Sequence, residues 1–271
     1  SRASTPGGKN ILVGALGRGG KALYALDVTD PSTFDSTKVL WEFTDADLGM
    51  VLGRPIIVKL NNGKTAVMVG NGINSTSERA VLFLIDITTG ALIQKIDTLA
   101  GSTTASNSLS SPRGWDDDAN GTLDYVYAGD LLGNLWKFDL TSSNPSQWRV
   151  AYGTTGAPAP LFVATDSSGV RQPITGMPDV GIDARQGDLN FGRRFVFFGT
   201  GRYLLSGDVG DMRTQSWYGL IDNGSVITGR SSLRQRTVVS ESTVSGQSIR
   251  KFSAATSGDM AGKSGWYLDM T

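Results

Sequence analysis

The chain has 271 residues, long enough for one large or two ordinary domains, and Lys plus Arg equals Asp plus Glu at 25 each. This balance supplies no basic field to hold a nucleic-acid backbone, so nucleic acid is not an expected partner. Cys and His are both absent, which removes zinc fingers, Ser-His-Asp and Cys-His nucleophiles, haem held by His or Cys, and thiol redox chemistry; any metal must be held by oxygen.

Glycine supplies 35 residues and charged residues only 18% of the chain, the composition of many short strands joined by tight turns. Helical periodicity is sustained almost nowhere, whereas short runs rich in Val, Ile, Phe, Tyr and Trp recur between Gly, Asn, Asp and Ser clusters. The fold class is therefore all-β. Ser1 follows no charged, apolar and small-residue leader and reads as a cut or cleavage boundary. No run approaches the roughly 18 apolar residues of a membrane-spanning helix, so no such segment is expected.

Strands are predicted over 11–15, 22–27, 39–43, 55–60, 66–69, 81–85 and 91–96. Further strands are predicted over 125–128, 135–138, 149–152, 195–198, 216–221 and 266–268. Asn61-Asn62-Gly63 supplies residues that tolerate positive φ and predicts a hairpin turn. The stretch 98–111, nearly all Ser, Thr, Ala, Asn and Gly, and the Pro- and Gly-rich stretch 153–187 are expected to be long surface connections.

A repeat emerges when the strand ends Val13-Gly14, Val69-Gly70, Ala128-Gly129 and Phe198-Gly199 are aligned. Each is followed by a strand that closes on an apolar residue and Asp, at Asp27, Asp86, Asp139 and Asp222, with Asp269 as a fifth such end. These Asp residues are 59, 53, 83 and 47 residues apart, near the roughly 40 to 50 of propeller blades once insertions are allowed. Four to five blades are expected. The small-Gly pairs suit a crowded strand, and each closing Asp can accept backbone N–H bonds in the turn after it. Asp27 to Pro31 leading to Trp41, and Asp86 to Gly90 leading into 91–96, resemble the repeat of quinoprotein-like propellers, in which a Trp docks one blade on the next. Trp41 fits that role, while Ile93 and Gln94 stand where a second Trp is expected.

The stretch from Asp116 to Asp124 carries oxygen side chains at its first, third, fifth and ninth positions, the alternation with which a tightly curled loop surrounds a hard cation. Asp116, Asp118 and Asn120 are expected to give side-chain oxygens, Thr122 its backbone carbonyl, and Asp124 both carboxylate oxygens. Gly121 sits where the backbone must turn sharply, and Asp117 is expected to point away. Calcium suits this many protein oxygens better than magnesium; a solvated Asp/Asn/Gly turn is the alternative. The phosphate-loop look of 14–21 fails, because Ala15 replaces the first Gly and Ala22 follows Lys21. Arg230, Arg234 and Arg236 read as a solvated face, and Asp208 with Asp211 as loop residues rather than a second ion site.

Phe197 to Leu204, Gln215 to Asp222, the run from Asp116 to Trp136 and the opening from Gly17 to Pro31 resemble the C-terminal domain of the PilY family of type IV pilus biogenesis and tip-adhesin proteins. The resemblance implies that residues 1–271 are one domain, a fragment of a modified seven-bladed quinoprotein-like β-propeller within a larger chain. It also implies a single calcium whose family ligands map onto Asp116, Asp118, Asn120, Thr122 and Asp124. An exported bacterial protein is implied, at the cell surface or pilus tip and associated with the outer membrane. Its partners would be minor pilins and host or abiotic surfaces. Its calcium would oppose pilus retraction and so regulate twitching motility and attachment. The rival readings are a quinoprotein dehydrogenase and an outer-membrane assembly scaffold. Against the enzyme, the acidic residues form one contiguous loop and no Cys pair exists to pack on a quinone.

Overall fold

A computed structural model describes residues 2–4, 8–256 and 258–270, and among them no α-helix occurs. The first sheet holds β1 (Arg2–Ser4), β2 (Asn10–Ala15), β3 (Leu23–Asp27) and β4 (Val39–Phe43), paired antiparallel in chain order. The second repeats that pattern with β5 (Ile56–Lys59), β6 (Thr65–Gly70), β7 (Arg79–Asp86) and β8 (Leu92–Gly101). The third is built from β9 (Arg113–Trp115), β10 (Tyr125–Gly129), β11 (Asn134–Asp139) and β12 (Arg149–Val150). The small hairpin β13 (Tyr152–Thr154) and β14 (Ala157–Ala159) follows, and β15 (Phe162–Val163) pairs back onto β11. The fourth sheet contains β16 (Asp179–Ile182), β17 (Arg194–Gly199), β18 (Gln215–Asp222), β19 (Arg234–Arg236) and, beyond the exposed hairpin β20 (Val238–Val244) and β21 (Gln247–Phe252), β22 (Gly265–Met270). Successive four-stranded meanders are the blades of a β-propeller, as the repeat predicts.

Strand periodicity distributes each sheet's side chains between two seams. Val67, Val69, Val81, Phe83 and Ile85 face the first sheet, where they join Ile11, Val13, Leu23, Ala25 and Phe43 in one core. Their neighbours Ala66, Met68, Ala80, Leu82 and Leu84 face the third sheet and pack with Val126, Ala128, Trp136 and Phe138. A third core joins Tyr127 and Leu135 to Val196, Phe198, Tyr218 and Leu220 of the fourth sheet. Burial on both faces explains why these strands read as nearly continuous apolar runs.

Trp41 docks the first sheet on the second, its indole Nε1 donating to the Ile87 carbonyl at 2.8 Å. Gln94, at the place of the missing second Trp, makes the equivalent donation across the next seam, to the Pro145 carbonyl at 2.8 Å. Two of the small-Gly pairs are needed because the connection to the next sheet crosses directly over them. A Cβ on Gly70 would stand 2.2 Å from the Ser110 carbonyl oxygen, and one on Gly129 would stand 2.1 Å from Ile174 Cγ2.

Both supposed surface connections are corrected in part. Strand β8 runs to Gly101, the Thr98 hydroxyl donates to Ala80 O at 2.8 Å, and Asn107 Nδ2 donates to Asp130 Oδ2 at 2.9 Å, so these two polar residues satisfy buried groups while 102–106 are exposed. The stretch 153–187 contributes β14, β15 and β16 and buries Leu161, Phe162, Ala164 and Ile174 in the third core. Residues 149–152 form two strands rather than one, with Ala151 between them. The solvated reading of the 230–236 arginines fails for two of the three. Arg230 pairs with Asp269 at 2.6 Å and Arg236 with Asp259 at 2.5 Å.

Candidate metal centre

The acidic stretch is the loop between β9 and β10, held against the turn between β5 and β6 of the second sheet. Leu123 N donates to Lys59 O at 2.9 Å, and Leu60 and Leu123 form a parallel bridge. The expected hairpin is present, with Leu60 N donating to Lys64 O at 2.9 Å and Gly63 at φ +81°. Asn61, which sequence reading treats only as a turn residue, reaches across the seam. Its Nδ2 lies 3.0 Å from Leu123 O, 3.0 Å from Asp124 Oδ1 and 3.1 Å from Leu140 O, while its Oδ1 accepts from the Thr122 hydroxyl at 2.6 Å. Only the long-range Leu60–Leu123 pairing gives Asn61 that role, and no local sequence pattern reports it.

Asp116, Asp118 and Asp124 each present a carboxylate oxygen within 4.8 Å of the others. Asp124 is buried, Asp116 half-buried and Asp118 exposed. Inward-turned backbone N–H groups hold these carboxylates. Asp116 accepts from Asn120 N at 3.1 Å and Gly121 N at 2.7 Å, Asp118 accepts from Asn120 N at 3.1 Å, and Asp124 Oδ2 accepts from Asp117 N at 2.8 Å. Asn120 stays within the loop, its Oδ1 accepting from Thr122 N at 2.8 Å and its Nδ2 donating to Asp118 Oδ2 at 2.9 Å. Thr122 stands at the flank against Asn61. The curl needs positive φ at Ala119 (+58°) and Gly121 (+87°). Open space surrounds Gly121, so its backbone conformation rather than crowding favours glycine there.

Asp117 turns away from the other carboxylates, as expected. Its Oδ1 accepts from Trp115 Nε1 at 3.0 Å and pairs with Arg194 of β17. Arg194 continues into the third seam, donating to the Tyr127 hydroxyl at 2.9 Å beside Asp222. Lys137 Nζ lies 2.6 Å from Asp222 Oδ2 and 4.1 Å from the Tyr125 ring centroid. Burial alone would raise the Asp222 carboxyl, but Lys137 and the Tyr127 hydroxyl outweigh it and hold the group below its ordinary value. Burial, reinforced by the Asp222 charge, pushes the Tyr127 phenol well above its ordinary value.

Among the described residues no Lys or Arg pairs with Asp116, Asp118 or Asp124. Oxygens about 2.4 Å from a shared cation lie at most about 4.8 Å apart, so the observed convergence fits a calcium-sized ion. Asp208 and Asp211, by contrast, already have cationic partners in Arg202 at 2.7 Å and Arg213 at 2.5 Å, in keeping with the loop reading.

Comparison with known proteins follows the same lines. A family model described as the PilY1 beta-propeller domain matches residues 7–254. A type IV pilus biogenesis factor PilY1 homolog of Xylella fastidiosa is 39% identical over 97% of this chain, and PilY1 of Pseudomonas aeruginosa PAO1 is 40% identical over 78% of it. The chain spans 18% and 19% of those two proteins, about a fifth of their length. The crystal structure of the Pseudomonas aeruginosa PilY1 C-terminal domain superposes with a TM-score of 0.84 at 36% identity, covering 100% of this chain and 61% of that one. Fold and sequence agree, and the chain belongs to the PilY1 β-propeller domain family.

Proposed function

We propose that the chain is a non-enzymatic calcium-binding propeller module of a type IV pilus biogenesis factor, in which calcium in the 116–124 loop favours pilus extension and its loss permits retraction. The observation that carries this reading is the convergence of three carboxylate oxygens within 4.8 Å, with no Lys or Arg paired to them among the described residues. Three negative charges so placed repel by roughly 1 kcal/mol per pair even at the dielectric of water, a cost that a mere turn has no reason to retain. Asp116, Asp118 and Asn120 would contribute side-chain oxygens, Thr122 its backbone carbonyl, and Asp124 the last of the shell. Calcium would supply a compact double positive charge to offset the carboxylates. The chain's own part is to hold the loop curled: Asn61 fixes Asp124 and Thr122 from the second sheet, and the inward backbone N–H groups orient Asp116 and Asp118.

Minor pilins and host or abiotic surfaces are the partners of this reading, and the cell surface or pilus tip its location. Its support is the names of the relatives, which are pilus biogenesis factors. No helix is long and apolar enough to cross a membrane among the described residues. The test is calorimetric titration of calcium into wild type and Asp124→Ala, with surface pili counted in the full-length parent carrying the same change. Saturable wild-type binding that the variant loses, together with fewer pili, supports the proposal. Equal isotherms remove the loop, and unchanged piliation at matched expression removes the regulation.

A further inference from the structure

We propose that Arg194 is a positioning residue for the 116–124 loop, and that the Asp117–Arg194 ion pair couples the loop's ion occupancy to the seam between the third and fourth sheets. This coupling rests on the calcium reading of the loop. Arg194 leaves β17 and spans the seam, one terminal nitrogen on Asp117 and the other 2.9 Å from the Tyr127 hydroxyl and 3.4 Å from Asp222 Oδ2. Its Nε is buried without a hydrogen-bond partner, so the hydrogen bonds of the guanidinium all come from its two ends, while its central carbon lies 5.0 Å from the Tyr125 ring centroid. Charge balance at the seam depends on the loop. Asp222, 1% exposed at its side chain, is matched by Lys137 at 2.6 Å, which leaves Arg194 needing a second anion. Asp117 is that anion.

The same Asp117 donates its backbone N–H to Asp124 Oδ2 at 2.8 Å, so the carboxylate that closes the proposed shell and the anchor of Arg194 belong to one short rigid path. Any shift of Asp124 toward an ion moves the Asp117 peptide, and with it the salt bridge. Linkage makes the relation reciprocal: if the ion tightens the seam, the seam tightens the ion by the same factor.

Calcium titration of folded Arg194→Gln and Arg194→Lys separates this from a field effect by sign. Acting only as a nearby positive charge, Arg194 would repel calcium, so Arg194→Gln would bind more tightly and Arg194→Lys equally. Positioning predicts weaker binding in both, by roughly five- to tenfold. Hydrogen exchange supplies the second readout: calcium should slow exchange in wild type at 194–199 and 215–222 as well as in the loop. Asp117→Asn, on the exposed side of the pair, should lose the distant protection and keep the loop's, which preserves the test if the Arg194 variants do not fold. Wild-type binding with an unchanged Arg194→Lys isotherm, or distant protection that survives Asp117→Asn, overturns the coupling alone. A wild-type chain that binds no calcium overturns the calcium reading and the coupling together.

Discussion

Replacing Asn61 by Ala tests whether the acidic loop is held by the neighbouring sheet. The substitution removes the Nδ2 shared by Leu123 O, Asp124 Oδ1 and Leu140 O, and the acceptor of the Thr122 hydroxyl. The Nδ2 has two hydrogens to share among its three acceptors, so two donated bonds and the accepted Thr122 bond are lost; at about 1 kcal/mol each these amount to about 3 kcal/mol. For a chain of 271 residues, an unfolding entropy of about 2.1 cal/mol/K per residue turns that into a fall in Tm of about 5 °C. Asn62→Ala in the same turn is the control, because Asn62 Oδ1 accepts only Lys64 N, at 3.1 Å. It should move Tm by no more than about 1 °C. Calorimetric or circular-dichroism melts at fixed calcium read both. Equal midpoints for Asn61→Ala and Asn62→Ala would refute the cross-seam clasp.

Gly129→Ala should destabilise by more than about 2 kcal/mol, because the added methyl meets Ile174 Cγ2 at 2.1 Å and its backbone oxygen at 2.8 Å; Gly156→Ala, with nothing within 4 Å, should be nearly neutral in the same urea titration. Acid should weaken the fold in a defined window. Thr29, through its hydroxyl and backbone N–H, holds Asp27 at about 2 against an ordinary 3.8. A depressed carboxyl stabilises above its unfolded value and loses that contribution as pH falls through the folded one. Tm should therefore drop as pH is lowered from about 4 to about 2, and less steeply in Asp27→Asn. An identical slope in the variant would contradict the assignment.

Nearly continuous apolar runs bounded by turn residues made the sheets legible wherever both faces are buried, as in β6, β7, β10 and β11. The closing Asp residues were legible from local chemistry: Asp27, Asp86, Asp139 and Asp222 all accept a backbone N–H two residues on. Asp269 accepts from Ser216 and Arg230, and the position two residues beyond it lies outside the described residues. The polar inserts were misread because composition alone does not distinguish a solvated Asn from Asn107, which caps a buried carboxylate. The acidic loop was legible because its oxygens alternate within nine consecutive residues. Its supports were not, for Asn61 and Arg194 lie 63 and 77 positions from their loop partners. Only the pairing of sheets around the propeller brings them there.

The central claim, that the loop gathers its oxygens around a divalent ion, is tested most directly by diffraction. Crystals of the chain grown in millimolar calcium should give an anomalous peak enclosed by Asp116, Asp118, Asn120, Thr122 and Asp124, and none after Asp124→Ala. A well-ordered wild-type loop with only water at that position would contradict it.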